Sequence, residues 1–309
     1  MRILFIFLDG VGLGLDDPNV NPFARIEMPF LQSLLGGKKL LASSAPHIGE
    51  RATLLALDAG LGVNGLPQSA TGQAVLLTGI NIPKEIGEHY GPKPNPAVAK
   101  YLLNGNLFSQ VIKHGKSAAL LNAYPPRYFD GVDSGKRIYS AMPMAVTSAG
   151  LRLFNKDDYY AGQALSADFT GNGWREMLGF PDAHVYGTHE AGGKLGELAN
   201  QYDFSLFEYW ASDYAGHKQD MNWACEQFKI FDEVLSGLLD IWNDERGLIL
   251  ITSDHGNMED LSTRRHTEAK VPGLLIGPAE ARTAFASGLN DLVGIHQRIL
   301  NTLSPKGSL

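Results

Sequence analysis

The chain has 309 residues, of which 44% are apolar and 19% charged, a composition typical of an ordinary globular protein. Its formal charge is −7, with acidic and basic residues mixed along the chain, which excludes an extended nucleic-acid surface. Cys225 is the single cysteine, so intrachain disulfides and thiolate metal clusters are excluded. This length accommodates one α/β domain with an insertion or two separate domains.

The first apolar run, Arg2 to Leu8, predicts a buried strand that ends at Asp9 and the turn "GVGLG". The run is about six residues long, shorter than the ~7–15 of a secretory core, so we expect no secretory leader. No segment approaches the ~20 apolar residues of a membrane span. We therefore expect a cytoplasmic protein without membrane attachment.

The segment His47 to Gly79 contains a Gly-rich loop, a turn at Pro67 and a predicted helix from about Ala70. Ser69 lies at the amino end of that helix, where unpaired backbone N–H groups favour anions. The segment Leu107 to Ala123 predicts a helix, a break at Gly115 and the strand "SAALLNA".

Periodicity fades from Tyr124 to about Gly196, where Gly, Pro and aromatic residues accumulate. We interpret residues 124–196 as a small inserted cap, and residues 1–123 and 197–309 as one catalytic core. The strand pattern resumes in "FSLFEYW", Phe204 to Trp210, and ends at "ASDYAGHKQD".

Two helices and two strands are predicted in the last third of the chain. Leu248 to Thr252 and Val271 to Ile276 are short runs rich in branched residues, and they predict buried strands of a parallel sheet. The first helix has apolar residues at spacings of 4, 3, 4, 3 and 4, at Ala224, Phe228, Phe231, Leu235, Leu238 and Trp242. Apolar positions between Leu289 and Leu303 indicate a closing helix.

Four of these apolar runs adjoin side chains that commonly bind metals. A lone Asp after a strand is usually a turn or helix-capping residue, but a shared position at strand ends indicates a site. Ligands of open α/β sheets bind at the carboxyl ends of the strands. The side chains in question are Asp9, Asp213, His217, Asp254, His255 and His266.

The segments "FLDGVG", "SATGQ", "SDYAGH", "SDHGN" and "HTEAKVP" together resemble the ordered motifs of the alkaline phosphatase superfamily. The similarity is greatest to its metalloenzyme branch, which includes cofactor-independent phosphoglycerate mutase and phosphopentomutase. The resemblance implies an α/β fold, namely a three-layer sandwich with a mostly parallel central sheet and a small inserted cap.

The resemblance also implies two divalent metal ions, each with its own ligands. One ion would be held by Asp9, Ser69, Asp254 and His255, and the other by Asp213, His217 and His266. Three aspartates and three histidines without a thiolate suit Zn²⁺ or Mn²⁺.

Ser69 matches the position of the family's nucleophile, and metal coordination would activate its hydroxyl. The local match departs at Gln73, where the related mutases carry His. A second interpretation therefore stays open, in which Ser69 caps the helix and Thr71 reacts. Asn257 and Glu259 are interpreted as loop residues.

We expect a metal-dependent hydrolase that acts on a phosphomonoester or phosphodiester through a phosphoserine intermediate. Two alternatives are a phosphomutase and a non-catalytic metal- or ligand-binding protein with the same fold. The expected partner is a small-molecule phosphate ester. Basic residues that either bind a second anionic group of the substrate or are simply solvated charges are Arg127, Lys136, Arg137, His184 and His189. Arg264 and Arg265 lie close to His266 in sequence and could approach the phosphate.

Overall fold

A computed structural model describes residues 1–304, and within them seven strands form one sheet. The strands are β1 Arg2–Leu8, β2 His47–Ile48, β3 Ala52–Leu57, β4 Ala118–Leu120, β5 Phe204–Tyr209, β6 Gly247–Thr252 and β7 Val271–Ile276. Their order across the sheet is β2-β3-β7-β6-β1-β5-β4.

The sheet is mixed, with a parallel centre. β1 pairs in parallel with β5 on one side and with β6 on the other, and β4 pairs in parallel with β5. β7 runs antiparallel to both β6 and β3. The expected mostly parallel sheet is confirmed, but the prediction that Val271 to Ile276 is a parallel strand is wrong. A parallel neighbour of β6 would need a crossover, whereas residues 253–270 connect β6 to β7 without a helix.

Because β7 runs antiparallel to β6, the loop of residues 253–270 between them stays at one edge of the sheet. Residues 253–270 leave the sheet at the carboxyl end of β6 and re-enter it at the amino end of β7. Both points are at the edge where the parallel strands β1 and β5 also end. Residues after β6 and residues before β7 therefore meet at one edge of the sheet.

The helices of the described region cover the two faces of the sheet. None of them has both the length and the apolar character needed to cross a membrane. They are α1 Pro22–Arg25, α2 Pro29–Leu34, α3 Ser69–Thr78, α4 Ile82–Ile86, α5 Pro96–Leu103, α6 Leu107–Lys113, α7 Pro126–Asp133, α8 Ala141–Ser148, α9 Lys156–Tyr160, α10 Asn172–Glu176, α11 Thr188–Ala199, α12 Ala211–Lys218, α13 Met221–Ile241, α14 Ala279–Ala286 and α15 Val293–Leu303.

Alternate side chains of β1 enter two hydrophobic clusters, because successive residues of a strand point to opposite faces of the sheet. Leu4 and Ile6 pack in a cluster with residues of α11 and α13. Phe5 and Phe7 pack in the other cluster, with residues of α3 and α15. These two layers of helices and the sheet between them confirm the expected three-layer sandwich.

Residues 124–196, the predicted cap, contribute to both clusters. Tyr128 packs on the α3 side of the sheet, whereas Tyr159 and Trp174 pack on the α13 side. The division of the chain into a core and a cap stays a prediction. Residues 305–309, which the predicted core includes, lie outside the described part of the chain.

Candidate metal centre

The structure brings all seven predicted ligand positions to the same edge of the sheet. Each comes from an element that ends or begins there. Asp9 follows β1, Ser69 begins α3, Asp213 and His217 belong to α12 after β5, Asp254 and His255 follow β6, and His266 precedes β7.

One group of donors consists of Asp213, His217 and His266, whose ligand atoms all lie within 4.8 Å of one another. Asp213 and His217 are four residues apart on α12, so they share one face of the helix. His217 Nε2 is 3.3 Å from Asp213 Oδ2, and His266 Nε2 is 3.7 Å from Asp213 Oδ1. This group coincides with the second predicted ligand set.

A second group surrounds the buried imidazole of His255. Its Nε2 is 3.0 Å from Ser69 Oγ, 3.4 Å from Asp9 Oδ1 and 3.6 Å from Asp254 Oδ2. The first predicted ligand set is thus also assembled around one point. Asp213 lies close as well, because it forms a further group within 4.8 Å with Asp9 and His255.

The two groups are contiguous. The rings of His255 and His266 are stacked, with 3.7 Å between their centroids and 13° between their planes. Asp213 belongs to donor groups on both sides. Two contiguous donor groups of this kind could hold two cations, which in two-metal sites lie roughly 4 Å apart.

Backbone carbonyls orient two of the imidazoles. His217 Nδ1 donates to the carbonyl oxygen of Arg264 at 2.7 Å, and His266 Nδ1 donates to that of Pro67 at 2.7 Å. With the proton on Nδ1, the lone pair of each Nε2 faces the carboxylate of Asp213. Metal-binding histidines are commonly held in this way.

Burial sets the charge state of the histidines and aspartates. It lowers the pKa of His255 and of His266 to about 4, so both imidazoles are neutral at pH 7. Burial, followed by the charge of Asp213, raises the pKa of Asp254 to about 7. Burial, followed by the charge of Asp254, raises the pKa of Asp9. Neutral imidazoles and crowded carboxylates are the states that a divalent cation requires and stabilises.

The donor set therefore fits divalent cations. Among the described residues, Asp9 Oδ1 and Asn257 Oδ1 are buried oxygens without a hydrogen-bond partner, and both lie at this centre. Such atoms are rare unless a ligand or water completes them. The donors are oxygen and imidazole nitrogen, as expected for Zn²⁺ or Mn²⁺.

Three further polar residues lie at or near the centre, and sequence reasoning gave none of them a role there. Gln73 Nε2 donates to Asp254 Oδ2 at 3.2 Å and to Asp9 Oδ2 at 3.5 Å, so it links two carboxylates. Asn257 Nδ2 donates to Asp213 Oδ1 at 2.9 Å. The sequence features that could have indicated these roles were Gln73, which stands where the related mutases carry His, and the polar run after β6.

Glu208 is the third of these residues, and it lies in β5. Its side chain is buried, and burial raises its pKa to about 7. The hydroxyl of Tyr124 donates to Glu208 Oε2 at 3.4 Å. The sequence signal for it was a carboxylate inside the otherwise apolar run "FSLFEYW".

Glu259 has a structural role, as the interpretation of a loop residue predicts. Its Oε2 accepts hydrogen bonds from the backbone N–H groups of Gly12 at 2.8 Å and Asn257 at 2.9 Å. These bonds tie the turn after β1 to the loop after β6. His189, one of the basic candidates for substrate binding, instead pairs with Asp240 of α13 at 2.9 Å.

The first turn of α3 packs directly on the loop after β6 at Gly72. A Cβ atom on Gly72 would lie 2.8 Å from both the Cβ and the carbonyl oxygen of Asp254. Neither atom can move without displacing a residue of the centre. Glycine at this position is therefore what allows Ser69 and Asp254 to approach each other.

We expect Gly72→Ala to destabilise the fold by about 1–3 kcal/mol, as overpacking usually does, and to lower turnover. The matched control is Gly193→Ala in α11, where the added Cβ has its nearest neighbour at 3.9 Å. Alanine is the better helix former, so the control should be neutral or slightly stabilising. Denaturant unfolding of both variants checks this. A Gly72→Ala protein as stable as the control would contradict the close contact between Gly72 and Asp254.

Comparison with known proteins shows which family and which folds this chain resembles. Residues 189–306 match the family model of the Metalloenzyme superfamily. The PH0037 protein of Pyrococcus horikoshii superposes with a TM-score of 0.58 over 100% of this chain and 98% of that one, at 14% identity. A Leishmania mexicana phosphoglycerate mutase superposes with a TM-score of 0.50 over 99% and 96%, at 10% identity. These superpositions show the fold.

Two phosphoglycerate mutases resemble parts of this chain in sequence. The chain is 26% identical over 160 residues to the 2,3-bisphosphoglycerate-independent phosphoglycerate mutase of Antithamnion sp., a match to 47% of this chain and 31% of that protein. It is 31% identical over 106 residues to the enzyme of that name from Halobacterium salinarum, across 33% and 21% of the two chains. The chain thus spans less than a third of these relatives. The matches confirm its resemblance to the metalloenzyme branch of the alkaline phosphatase superfamily, whose members are metal-dependent phosphoryl-transfer enzymes.

Proposed function

We propose that this protein is a metal-dependent hydrolase of a phosphomonoester or phosphodiester, and that Ser69 is its nucleophile. One observation carries the proposal: Ser69 Oγ lies 3.0 Å from His255 Nε2, at the amino end of α3 and beside both donor groups. Ser69 is buried, but it is not the helix cap, since the capping position is Gln68.

Thr71 is a poorer candidate for the nucleophile than Ser69. Its side chain is fully buried, and its Oγ1 donates to the carbonyl of Gln68 at 3.1 Å. The same oxygen accepts a hydrogen bond from the backbone N–H of Tyr90 at 3.2 Å. Attack by Thr71 would break these bonds and would require the first turn of α3 to move.

The mechanism that we propose has two displacements at phosphorus. The Ser69 oxygen forms a bond to phosphorus as the bond to the ester oxygen breaks, which leaves a phosphoserine and an alcohol, and the alcohol takes up the proton that the serine hydroxyl loses. A water oxygen then displaces the serine oxygen and returns a proton to it, which releases inorganic phosphate from a monoester or a phosphomonoester from a diester. Two divalent cations bound at the centre would neutralise the phosphate oxygens and lower the pKa of the serine hydroxyl.

The chain's own residues contribute binding and orientation. His255 is neutral and its Nε2 lies 3.0 Å from Ser69 Oγ, so the two side chains would share one cation. The amino end of α3 offers backbone N–H groups to the anionic phosphate. Gln73 holds the carboxylates of Asp9 and Asp254 in place.

Packing of residues 124–196 supports hydrolysis over intramolecular transfer. A mutase must shield its phosphoenzyme from water while the substrate turns, which calls for a closing cap. Here the ring of Phe169 stacks on Phe207 at 4.6 Å and on Tyr209 at 4.9 Å, both residues of β5. A region anchored to the sheet in this way is poorly suited to large closing motions. A phosphomutase stays the second candidate, because the named sequence relatives are mutases.

The proposal predicts release of inorganic phosphate from simple esters in the presence of Mn²⁺ or Zn²⁺. We expect p-nitrophenyl phosphate or its diester to be hydrolysed, and 2- and 3-phosphoglycerate and pentose 1- and 5-phosphates to interconvert slowly or not at all. Assays should follow free phosphate and isomer interconversion separately. Rapid interconversion with negligible phosphate release would favour the mutase. A protein inactive on every ester would point to a non-catalytic role.

We also propose a small-molecule phosphate ester as the partner and the cytoplasm as the location. The single, buried Cys225 supports a reducing compartment.

A further inference from the structure

A polar cleft of about 410 Å³ lies beside the proposed nucleophile. It is lined by residues 64–66 and 68, which precede α3, and by residues 88–91, which follow α4. A volume of this size matches the lower part of the range for small-molecule sites. We refer to it as the leaving-group cleft.

The cleft is fixed to the first turn of α3. The backbone N–H of Thr71 donates to the carbonyl of Tyr90 at 3.0 Å. A Cβ atom on Gly91 would lie 3.3 Å from the backbone nitrogen of Ser69 and 3.1 Å from Gln68 Oε1. The wall of the cleft thus touches the residue that carries the nucleophile.

The cleft is also fixed to the metal centre. The carbonyl of Pro67, between the lining residues Leu66 and Gln68, accepts the hydrogen bond of His266 Nδ1 at 2.7 Å. The cleft therefore borders both the residue that carries the nucleophile and the backbone that orients His266.

The lining is polar and carries no permanent positive charge. Among the described residues that line the cleft, none is Lys or Arg, and Glu88 is the one carboxylate. Asn64, Gln68 and Tyr90 offer amide and phenol groups that can donate and accept hydrogen bonds. Burial lowers the pKa of the fifth polar residue, His89, so its imidazole is neutral at pH 7.

We propose that the leaving-group cleft binds an uncharged, hydroxyl-bearing alcohol, such as a polyol or sugar, and discriminates against an alcohol that carries a carboxylate. This inference rests on the proposed function, because it names the substrate class of the same site. Hydroxyl groups pair with amides and with a carboxylate, whereas a second anion would face Glu88 without a cation to compensate it.

Two esters that differ at one carbon test the proposal. Glycerol 1-phosphate and 3-phosphoglycerate carry the same phosphate, but a CH₂OH group in the first is a carboxylate in the second. We expect the ratio of kcat/KM to favour glycerol phosphate by about tenfold, the size expected for one close like-charge contact partly screened by water. A wild-type preference for 3-phosphoglycerate would overturn the proposal.

Reversal of the cleft's charge should change that ratio. Glu88 is exposed and lies outside the proposed metal centre, so Glu88→Lys reverses the charge of the cleft without removing a metal ligand. It should shift the ratio toward 3-phosphoglycerate by about three- to tenfold. The control Glu280→Lys makes the same change of charge on the exposed surface of α14 and should leave the ratio unaltered. An equal ratio in wild type and Glu88→Lys would also overturn the proposal.

A binding measurement separates the cleft from the chemistry. Calorimetric titration of both esters into the metal-loaded Ser69→Ala protein, with and without Glu88→Lys, reports on the cleft when no turnover occurs. Absence of all hydrolysis together with the expected binding preference would reject the proposed hydrolase and keep the cleft. Hydrolysis without any preference between the two esters, in rate or in binding, would reject the cleft and keep the hydrolase.

Discussion

Ser69→Ala is expected to reduce hydrolysis by at least about a thousandfold, since removal of a covalent nucleophile has effects of this size or larger. The substitution deletes one oxygen next to His255 but none of the six Asp and His donors. We therefore expect the variant to fold and to retain most of its bound metal. Steady-state release of phosphate, together with elemental analysis of the same sample, measures both properties.

Thr71→Ala is the matched control two residues away. It removes buried hydrogen bonds and should cost about 1–3 kcal/mol of stability, but it should keep turnover within about tenfold of the wild type. Rapid acid quenching of wild type with substrate should also trap one phosphoryl group, which mass spectrometry of peptides would locate on Ser69. A phosphoryl group on Thr71, or an active Ser69→Ala protein, would show that the nucleophile is assigned to the wrong residue.

The sequence predicted much of the fold because the relevant signals are local. Apolar runs of strand length predicted β1, β5 and β6, and the helical spacing that starts at Ala224 predicted α13. The antiparallel direction of β7 could not be predicted in the same way. A buried strand has the same composition in either direction, and its direction depends on the route of the loop before it.

The sequence also predicted that the donor side chains lie close together, because the ends of parallel strands share one edge of a sheet. It did not predict the hydrogen bonds that Gln73 and Asn257 make to these donors. Gln73 reaches Asp9 across 64 positions of the sequence, and Asn257 reaches Asp213 across 44. Such pairs depend on side-chain direction and on the closeness of two elements, which Gly72 makes possible at α3. Single-sequence patterns carry neither kind of information.

If each of the two ligand sets holds one divalent ion, the metal content of the protein can be predicted. Wild-type protein purified without chelator should contain two divalent ions per chain. His266→Ala removes a nitrogen that faces Asp213, and Asp254→Asn removes the charge of a carboxylate that faces His255. Each variant should lose one ion while retaining much of the other, because His266 lies with Asp213 and His217, whereas Asp254 lies beside His255.

We expect the affinity for the lost ion to fall by at least about a hundredfold, since even residues that only orient ligands contribute ten- to a hundredfold. Hydrolysis should fall with it, because both ions act on one phosphate. His114→Ala is the control, as His114 is an exposed histidine bonded to the carbonyl of Gln110 in α6. Metal titration followed by elemental analysis distinguishes the outcomes. Two ions retained in His266→Ala, with full activity, would exclude His266 as a ligand, whereas loss of both ions in each variant would replace two sets with one cooperative site.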